Sequence, residues 1–473
     1  MVIDKKYIYA YALKNAIEHE GRAVSGSVIS GLFNHGLTKD KIKDVINDVN
    51  QIINEVNSWN IDKQKIEFEN YKDLIGHRQE RAGLPELEKV PVDGVVMRYR
   101  PGPSGPMHIG HIISNMAQSL YVNKYGGKFY VIIDDSDPKT SLKESYKNIK
   151  IDCDWIFGNV FKYINTSDNI KRCYFYIEKL LENGNSYVCT CDSEKFKKLV
   201  DNKKPCPCRK NTIEENKKRW SKMLDKTGYK EGEAVLRFKS DLNNPNPALR
   251  DFPLARICLT SHPLQKTKYR VWPLMNLAVT VDDIEYKMTH IIRGKDHKDN
   301  SLRQKMIYEA LGIKDFPITL FIGRMKFTDI ILSKRKIKSA IEEGSYEGWD
   351  DIRLPTIASL RKRGYQKEAF EQFAIQRGIS EVDKVISQKD LFDVINNLNR
   401  EILKDKTGKA SFDKTNEKDS NMIAVMPDNK KVFGKTDVKA KSEEILYFSK
   451  FGYAKFNGLE GRPAKQVFWF CHE

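Results

Sequence analysis

The sequence predicts an α/β fold organised around a parallel sheet, and three neighbouring segments support that prediction. The segment VVMRYR, which starts at Val95, has the composition of a short buried strand. The run FYVII, residues 129–133, is apolar throughout, as expected for a strand covered on both faces. Between them, apolar residues from Ile109 to Tyr121 fall on one helical face, and Gly126 follows where the helix should stop. A strand, a helix and a strand within about forty residues form a βαβ unit, whose two strands run parallel in one sheet.

The region before this unit, residues 1–90, is predicted to be helical. Between Lys39 and Asn57 the apolar residues recur at steps of three, four and seven, so they form one stripe along a helix. A helix of this kind most often packs against its neighbours and carries no chemistry. The stripe consists of Ile42, Val45, Ile46, Val49, Ile52, Ile53 and Val56.

Changes in composition divide the rest of the chain. Two cysteine pairs and the turn-rich stretch SDLNNPNPALRD interrupt the sheet pattern, which returns with YRVWPLMNLAVTV. The last part contains short strand-like runs such as MIAVM and QVFWF, so it is predicted to form one small β-barrel-like domain. The predicted order is the first half of the sheet over 91–185, an insertion over 186–267, the second half of the sheet over 268–330, a basic loop and helical region over 331–380, and the β domain over 381–473.

Charge and targeting signals narrow the class of protein. Lys and Arg number 81 against 64 acidic residues, which gives a net charge of +17. This surplus suits a polyanionic partner, because each phosphate that a cation neutralises releases counterions; a lysine-rich enzyme without such a partner is an equal alternative. The first residues lack the apolar run of a secretory signal, and no run of 18 apolar residues appears that would span a membrane. We therefore expect a cytoplasmic protein without a membrane partner.

The strongest chemical signal is PSGPMHIGH, residues 103–111, between the first strand and the helix. A helix start presents backbone N–H groups and the positive end of its dipole, both of which favour phosphates. His108 and His111 would add imidazole donors, and Gly110 would let a nucleotide lie against the backbone. An H-x-x-H pair could equally be a surface pair or two metal ligands, but the intervening Gly and the preceding Pro/Gly loop favour a nucleotide. The segment suits a reaction in which charge builds up on phosphates and is stabilised by positioning and electrostatics.

A second signal is the basic run ILSKRK, residues 331–336. Ser333, Lys334 and Arg335 could form a loop that closes over phosphates, whereas a basic run on its own is usually a solvated surface. The position of the run beyond the second half of the sheet favours the first interpretation. The sequence FGKT at 433–436 is not a P-loop, because the first Gly of the G-x-x-x-x-G-K-[ST] pattern is missing.

Four of the eight cysteines form two C-x-C pairs, a pattern that predicts a metal site in a reducing compartment. Four thiolates in two close pairs can enclose a tetrahedral Zn²⁺ with no open position, so the site would be structural. The alternative is a set of unpaired thiols, because C-x-x-C is the commoner spacing. The predicted ligands are Cys189, Cys191, Cys206 and Cys208, and the cysteines expected only to pack are Cys153, Cys173, Cys258 and Cys471.

Together these motifs resemble one family. His108-Ile-Gly-His111 is similar to the first signature of class I aminoacyl-tRNA synthetases, and Ile331-Leu-Ser-Lys-Arg335 resembles a variant of the second. Further segments resemble the glutamyl and glutaminyl members, and the helical N-terminal region resembles that of the archaeal and eukaryotic glutamyl enzymes. The resemblance covers roughly residues 5–380. The further segments are DDSDP (134–138), KYRVWP (268–273), THIIRGKDH (289–297) and EGWDDIRLPT (347–356).

The resemblance implies a Rossmann-like catalytic domain, an insertion that handles the tRNA acceptor end, and roles for individual residues. Arg98 and Arg293 would face the side-chain carboxylate of glutamate, which a planar guanidinium binds through two parallel hydrogen bonds. Arg293 stands where glutaminyl enzymes carry an uncharged residue, so glutamate is favoured over glutamine. The implied catalytic residues are His108, His111 and Lys334; the implied ATP contacts are Pro103, Ser104, Gly105, His108, Gly110, His111, Ser333 and Lys334; the implied amino-acid contacts are Arg98, Ser104, Asp134, Met275 and Arg293.

Asp134 has two interpretations. By family analogy it would hold the ammonium group of the substrate, and ligands do bind at the carboxyl ends of parallel strands. Alternatively, Asp134, Asp135 and Asp137 cap the next helix.

Three positions depart from the family pattern by carrying apolar residues around the expected pocket. Ile113 follows the first signature where the family commonly has Arg, Ile132 replaces an Arg before the acidic cluster, and Met275 replaces a substrate-contacting Tyr. The C-terminal region is also short for the two β-barrels of the archaeal type. These departures leave room for a diverged paralogue with another substrate.

The resemblance thus implies the activity of a glutamate–tRNA ligase, which activates glutamate with ATP and transfers it to the 3′ end of tRNA. The expected cofactors are ATP, Mg²⁺ and a structural Zn²⁺. The expected partners are glutamate and tRNA-Glu, with tRNA-Gln as a second candidate, and not DNA. Two alternatives stay open: a paralogue that activates an amino acid for another acceptor, and a tRNA-binding protein with an inactive catalytic site.

Overall fold

The structure of the chain, a computed structural model, divides into two compact units, Met1–Ala82 and Gly83–Glu473. Within the described residues, no helix is both long and apolar enough to cross a bilayer. The described residues are 3–38, 41–75, 83–329 and 334–473.

The first unit is helical and has its own apolar core. Its helices are α1 (Lys5–Glu18), α2 (Ser25–Leu32), α3 (Ile42–Ser58) and α4 (Ile61–Glu69). Helix α3 carries the predicted apolar stripe, and five of its residues are buried, which confirms that prediction. Asp4 and Asn60 cap α1 and α4, because their side chains accept hydrogen bonds from backbone N–H groups in the first helical turn.

The centre of the second unit is a parallel sheet in two halves. The first half pairs, in order, β1 (Val95–Tyr99), β2 (Gly127–Ile133) and β3 (Val160–Asn165). The second half pairs β8 (His290–Gly294) with β9 (Ile318–Ile322). Thr289 joins the halves, because its N–H donates to the carbonyl of Val96 while its hydroxyl accepts the N–H of Val96 at 2.9 Å. The resulting order β3-β2-β1-β8-β9 reverses the chain order between β1 and β8, which confirms the predicted Rossmann-like sheet.

The predicted helix between the first two strands is α5 (Ile109–Tyr125), and α6 (Lys143–Ile156) follows the second strand. The apolar face of α5 lies in the main core of the unit. Gly126 ends α5 with φ of +74°, as predicted. Gly127 opens β2 with φ of +110°, and a Cβ there would approach the carbonyl oxygen of Val95 to 2.1 Å, so this close strand contact requires glycine.

An antiparallel sheet and three helices lie between the two halves of the parallel sheet. The strands, in their spatial order, are β4 (Ser186–Cys189), β5 (Val235–Phe238), β6 (Pro253–Ile257) and β7 (Val271–Pro273). The helices are α7 (Ile170–Glu182), α8 (Ser193–Asp201) and α9 (Ile213–Leu224). This sheet has its own apolar core, separate from that of the parallel sheet. Residues of α7 and of the helix that follows β7 also belong to the core of the inserted sheet.

Helices dominate the chain around and after the second half of the parallel sheet. They are α10 (Met275–Glu285), α11 (Lys298–Ala310), α12 (Lys334–Glu342), α13 (Ile357–Arg363), α14 (Lys367–Arg377) and α15 (Gln388–Leu403). Two short strands, β10 (Met325–Phe327) and β11 (Lys384–Ile386), pair in parallel. Arg377 of α14 donates to the carbonyls of Ile113 and Gly323 at 3.0 and 2.9 Å, which fixes α14 against α5.

The C-terminal region forms one sheet of seven strands, in the order β12-β16-β17-β18-β14-β15-β13. The strands are β12 (Gly408–Ala410), β13 (Asp413–Lys414), β14 (Met422–Val425), β15 (Lys431–Lys435), β16 (Ile445–Phe448), β17 (Gly452–Glu460) and β18 (Lys465–His472). The predicted runs MIAVM and QVFWF are β14 and β18, which pair in parallel at the centre of this sheet.

Candidate active site

The first signature lies at the carboxyl end of β1, on the side of the sheet where ligands bind in such folds. The loop is held by the segment after β2, because the N–H of Asp134 donates to the carbonyl of Pro101 and the N–H of Leu142 to that of Pro103, both at 2.8 Å. Pro103 and Gly105 are buried, whereas part of the surface stays exposed at Ser104, His108, Gly110 and His111. The predicted ATP contacts of this loop therefore lie along one fixed segment.

His108 and His111 lie together at the N-terminus of α5. The N–H of His108 donates to Nδ1 of His111 at 3.1 Å, and the two ring centroids are 3.9 Å apart. Because Nδ1 of His111 accepts this bond, the proton of its neutral ring resides on Nε2. The pair thus combines imidazole donors with the positive end of the helix dipole.

The segment 347–356, which resembles the family, pairs with the first signature. The N–H of Ile109 donates to the carbonyl of Pro355 at 3.1 Å, and the N–H of Ile357 donates to the carbonyl of Met107 at 3.0 Å. Ile357 is also the first residue of α13. Two backbone bonds therefore fix the shape of the loop that carries the histidines.

Asp134 follows β2 directly and remains partly exposed. One of its carboxylate oxygens accepts Nε of Arg100 at 3.1 Å, and the other accepts the hydroxyl of Ser136 at 2.7 Å. Burial alone would raise the pKa of Asp134, but the charge of Arg100 and the bonds from Ser136 outweigh it and hold that pKa below its ordinary value. Asp134 is therefore an ionised, partly exposed acceptor at the carboxyl end of β2.

The neighbouring aspartates serve the structure of the loop. Asp135 is fully buried and accepts the N–H and the hydroxyl of Ser167, both at 2.7 Å, and burial raises its pKa to about 6. Asp137 accepts the N–H of Lys139 at 3.1 Å, in a turn before the helix. Helix α6 begins after Leu142, and within the described chain no side chain caps it. The alternative that these aspartates cap the next helix is therefore wrong.

The two arginines predicted to face the substrate differ in their partners. Arg98 is buried and binds Asp283 of α10 through Nε and Nη2. Arg293 is the penultimate residue of β8 and donates through Nη1 to neutral acceptors, the hydroxyl of Ser301 at 3.0 Å and Oε1 of Gln304 at 2.8 Å. Within the described residues, Arg293 has no carboxylate partner within 4.0 Å, and its buried Nε has no acceptor. Burial and the nearby charge of Arg98 lower the pKa of Arg293 to about 10.

Met275 begins α10 and is half-buried. The next residue, Asn276, accepts Nε2 of Gln304 at 3.4 Å, and Gln304 in turn accepts Arg293. The start of α10 is thereby linked to Arg293 through Asn276, and the contact of Met275 with the amino acid stays a prediction.

Sequence reasoning missed two residues of this pocket, Arg100 and Asp282. Nη1 of Arg100 donates to Oδ2 of Asp282 at 2.6 Å. The available signal was the spacing R-x-R around β1, because residues two apart on a strand point to the same face. The adjacent pair Asp282-Asp283 was the matching signal on α10.

The second signature is only partly covered by the structure. Ile331, Leu332 and Ser333 lie outside the described residues, and α12 begins at Lys334. The side chains of Lys334 and Arg335 also lie outside the description. The role of this loop over the phosphates stays a prediction.

The four predicted zinc ligands come together beside the first strand of the inserted sheet. The Sγ atoms of Cys189, Cys191 and Cys208 lie within 4.8 Å of one another, and Sγ of Cys206 is 3.9 Å from that of Cys189. All four are free thiols, and Nη1 of Arg219 donates to Cys208 at 3.4 Å. Four close sulfur donors outside any disulfide match the set that a tetrahedral Zn²⁺ binds, so these residues fit a structural zinc.

Comparison with known proteins agrees with this geometry. The family model described as tRNA synthetases class I (E and Q), catalytic domain, matches residues 94–403. The chain is similar to proteins named glutamate–tRNA ligase from three archaea. It is 41% identical over 390 residues to that of Pyrococcus abyssi (80% of this chain, 68% of the relative), 41% over 397 residues to that of Thermococcus kodakarensis (82% and 69%), and 40% over 410 residues to that of Methanosphaera stadtmanae (86% and 71%).

The matched segment contains both halves of the parallel sheet, the inserted sheet with its cysteines, and the helices up to α15. The histidine pair, Asp134 and the pocket arginines all lie inside it. The chain belongs to the class I tRNA synthetase family for glutamate and glutamine.

Proposed function

We propose that this chain is a glutamate–tRNA ligase, which joins glutamate to ATP and passes the activated glutamate to the 3′ end of tRNA. The observation that carries the choice of amino acid is Arg293, a half-buried cation whose Nε is buried and which has no carboxylate partner within 4.0 Å among the described residues. A glutamate side chain would supply two carboxylate oxygens to this guanidinium. The neutral amide of glutamine would present an NH₂ group, which an arginine cannot accept.

The activation step uses groups at the carboxyl end of the sheet. Asp134 would bind the ammonium of glutamate while Arg293 binds its side chain, so the α-carboxylate is left to attack the α-phosphate of ATP. A mixed anhydride forms and pyrophosphate leaves with the electrons of the broken P–O bond. His108 and His111 would donate to phosphate oxygens whose charge grows in the transition state, and Lys334 would follow the leaving pyrophosphate. ATP would enter as its Mg²⁺ complex, and the metal would offset part of the phosphate charge.

The transfer step requires tRNA, and two features support that partner. The net charge of +17 favours a polyanion. The cysteine cluster would hold a Zn²⁺ that fixes β4 to the loop before α9, and thereby keeps the inserted sheet rigid for the acceptor end. Charging assays with tRNA-Glu and with tRNA-Gln measure which of the two the chain accepts.

The test measures pyrophosphate exchange and tRNA charging for all twenty amino acids, each with and without tRNA. We expect exchange and charging with glutamate at a kcat/KM at least about a hundredfold above that for glutamine, because an unpaired buried charge rejects the neutral analogue. Exchange without any charged tRNA would favour a paralogue that serves another acceptor. The absence of both activities would indicate a tRNA-binding protein, and preference for another amino acid would overturn the assignment of Arg293.

A further inference from the structure

Arg100 is bonded through every nitrogen of its guanidinium, although it lies beside the proposed substrate pocket. Nε donates to Asp134 at 3.1 Å, Nη1 to Asp282 at 2.6 Å and Nη2 to the hydroxyl of Thr166 at 2.8 Å. Only 7% of its side chain is exposed. One side chain thus connects the end of β1 with the end of β2, the residue after β3 and the interior of α10.

The two carboxylates that share Arg100 differ in what else they can bind. Asp282 is fully buried, and it also accepts the hydroxyl of Thr166 at 2.9 Å and Nδ2 of Asn169 at 2.8 Å. The side chain of Asp134 is 20% exposed and has a protein donor on each oxygen, from Arg100 and Ser136. A carboxylate has about four acceptor sites, so Asp134 retains capacity for a further donor on its exposed side.

The charge of Arg100 is needed for both carboxylates to be ionised. Asp134 and Asp282 lie on either side of one guanidinium, and burial of Asp282 raises its pKa. Without the cation, the fully buried carboxylate of Asp282 would face the partly exposed one of Asp134, and such pairs take up a shared proton. A protonated or rotated Asp134 would be a poor acceptor for an ammonium group.

The position of Arg100 explains one departure from the family pattern. In the parallel register Tyr99 lies opposite Val131, so the next residues along the two strands are Arg100 and Ile132. The resemblance described in the sequence analysis implies an arginine at the position of Ile132. In this chain Arg100, which follows the neighbouring strand β1, supplies a cation at that place.

We propose that Arg100 is a positioning residue that fixes the Asp134 carboxylate as the acceptor for the ammonium group of the amino-acid substrate. This inference rests on the proposed function, because it takes glutamate to be that substrate. Arg100 touches Asp134 and not the reacting atoms, so its effect should appear in amino-acid binding and should depend on the presence of an ammonium group.

The experiment compares two ligands by titration calorimetry with the full chain. L-glutamate carries the ammonium, whereas glutarate has the same two carboxylates and lacks it. We expect Arg100→Ala to weaken glutamate binding about tenfold or more, the worth of one charge-assisted hydrogen bond, and glutarate binding by less than about twofold. Asp134→Asn should give the same selective loss. The double variant should bind glutamate no more weakly than either single variant, because both changes remove one interaction.

Arg172→Ala is the matched control. Arg172 also forms a two-bond ion pair with α10, through Glu285, but half of its side chain is exposed and it lies outside the pocket. Its removal should leave both ligands unaffected. If Arg100→Ala fails to fold, Arg100→Lys decides the matter, since a glutamate-selective loss in that variant supports the proposal.

Equal losses for glutamate and glutarate, fully additive losses in the double variant, or unchanged binding would overturn the role of Arg100 while leaving the proposed function intact. A wild-type chain that binds neither ligand would instead overturn glutamate as the substrate, and the inference with it.

Discussion

Arg98 and Arg293 lie close enough for their charges to act on each other, yet only Arg98 has a carboxylate partner within 4.0 Å among the described residues. Arg98 is matched by Asp283, while Arg293 donates to a hydroxyl and an amide oxygen. A guanidinium that has a buried nitrogen and no ion-pair partner is costly, and a ligand carboxylate would remove that cost. At the scale of residues, the selectivity of the pocket is therefore concentrated at Arg293.

Replacing Arg293 with Gln should weaken the use of glutamate by about 2–4 kcal/mol in kcat/KM, because a charge-assisted pair in a dry site is lost. Glutamine should be affected much less, since it never formed that pair. Steady-state pyrophosphate exchange with both amino acids measures the two effects. An equal loss for both would show that Arg293 does not contact the side chain.

His108→Ala and His111→Ala should each lower the kcat of adenylate formation by about a hundredfold, with less than about a threefold change in the KM for glutamate. The imidazoles act on charge that develops at the phosphates, not on the bound amino acid. Rapid-quench measurement of adenylate formation tests this. A normal turnover number in either variant would exclude that histidine from catalysis.

The sequence was informative where one short segment holds a whole feature. The histidine pair sits within four consecutive residues, and its placement at a helix start follows from the flanking strand and helix. The ion pairs of Arg98 and Arg100 join β1 to α10, and their partners are 185 and 182 residues away in the chain. Composition and spacing do not reveal such pairings, because they depend on how distant elements pack.

At the scale of elements, periodicity predicted α3, α5 and the strands β1 and β2, because each has one apolar face or is buried over most of its length. The order in which the strands pair could be read only from the structure, because periodicity does not show which strands are neighbours. Thr289, which joins the two halves of the sheet through Val96, gives no signal in the sequence.

Purified chain should carry about one Zn²⁺ per molecule, held by Cys189, Cys191, Cys206 and Cys208. Elemental analysis of protein never exposed to chelator measures the content. Cys206→Ser should lower it, whereas Cys258→Ser, a buried cysteine outside the cluster, should not. Chelation should loosen the inserted sheet, seen as faster amide exchange in β4, while exchange in β1 and β2 stays unchanged. Protein without metal would refute the site.

Asp152→Asn should stabilise the protein at alkaline pH. Asp152 of α6 is buried, its closest cation is Arg361 at 3.7 Å, and its Oδ2 has no hydrogen-bond partner in the described structure. Burial raises its pKa to about 7 from 3.8, so the folded chain retains a proton that the unfolded chain loses. Stability of the wild type should therefore fall, relative to the variant, as pH rises from about 4 to 7, by about 2–4 kcal/mol in total.

Thermal unfolding of both proteins between pH 4 and pH 8.5 tests this expectation. Asp154→Asn is a control on the same helix, because that carboxylate accepts the hydroxyl of Tyr163 and is more exposed. If the difference in stability between wild type and Asp152→Asn does not vary with pH, burial does not raise the pKa of Asp152.

At the scale of the whole molecule, the charge of +17 should make tRNA binding strongly dependent on salt. The affinity for tRNA-Glu should fall by about 10²–10³ between 50 and 200 mM salt, because several phosphates release counterions on binding. Filter binding at several salt concentrations measures the slope. Glutamate binding, which involves one small ligand in a partly buried pocket, should change by less than about threefold over the same range. A flat tRNA profile would contradict a phosphate-dominated interface.

The backbone bonds between Ile109 and Pro355 and between Met107 and Ile357 join segments that are synthesised at different times. On the ribosome, β1, α5 and β2 emerge long before the segment that fixes the histidine loop. Until that segment has been made, the loop that carries the histidines lacks the partner that sets its shape. Nucleotide affinity should appear only after α13 has left the exit tunnel, so an unfinished chain would neither sequester ATP nor release a reactive adenylate.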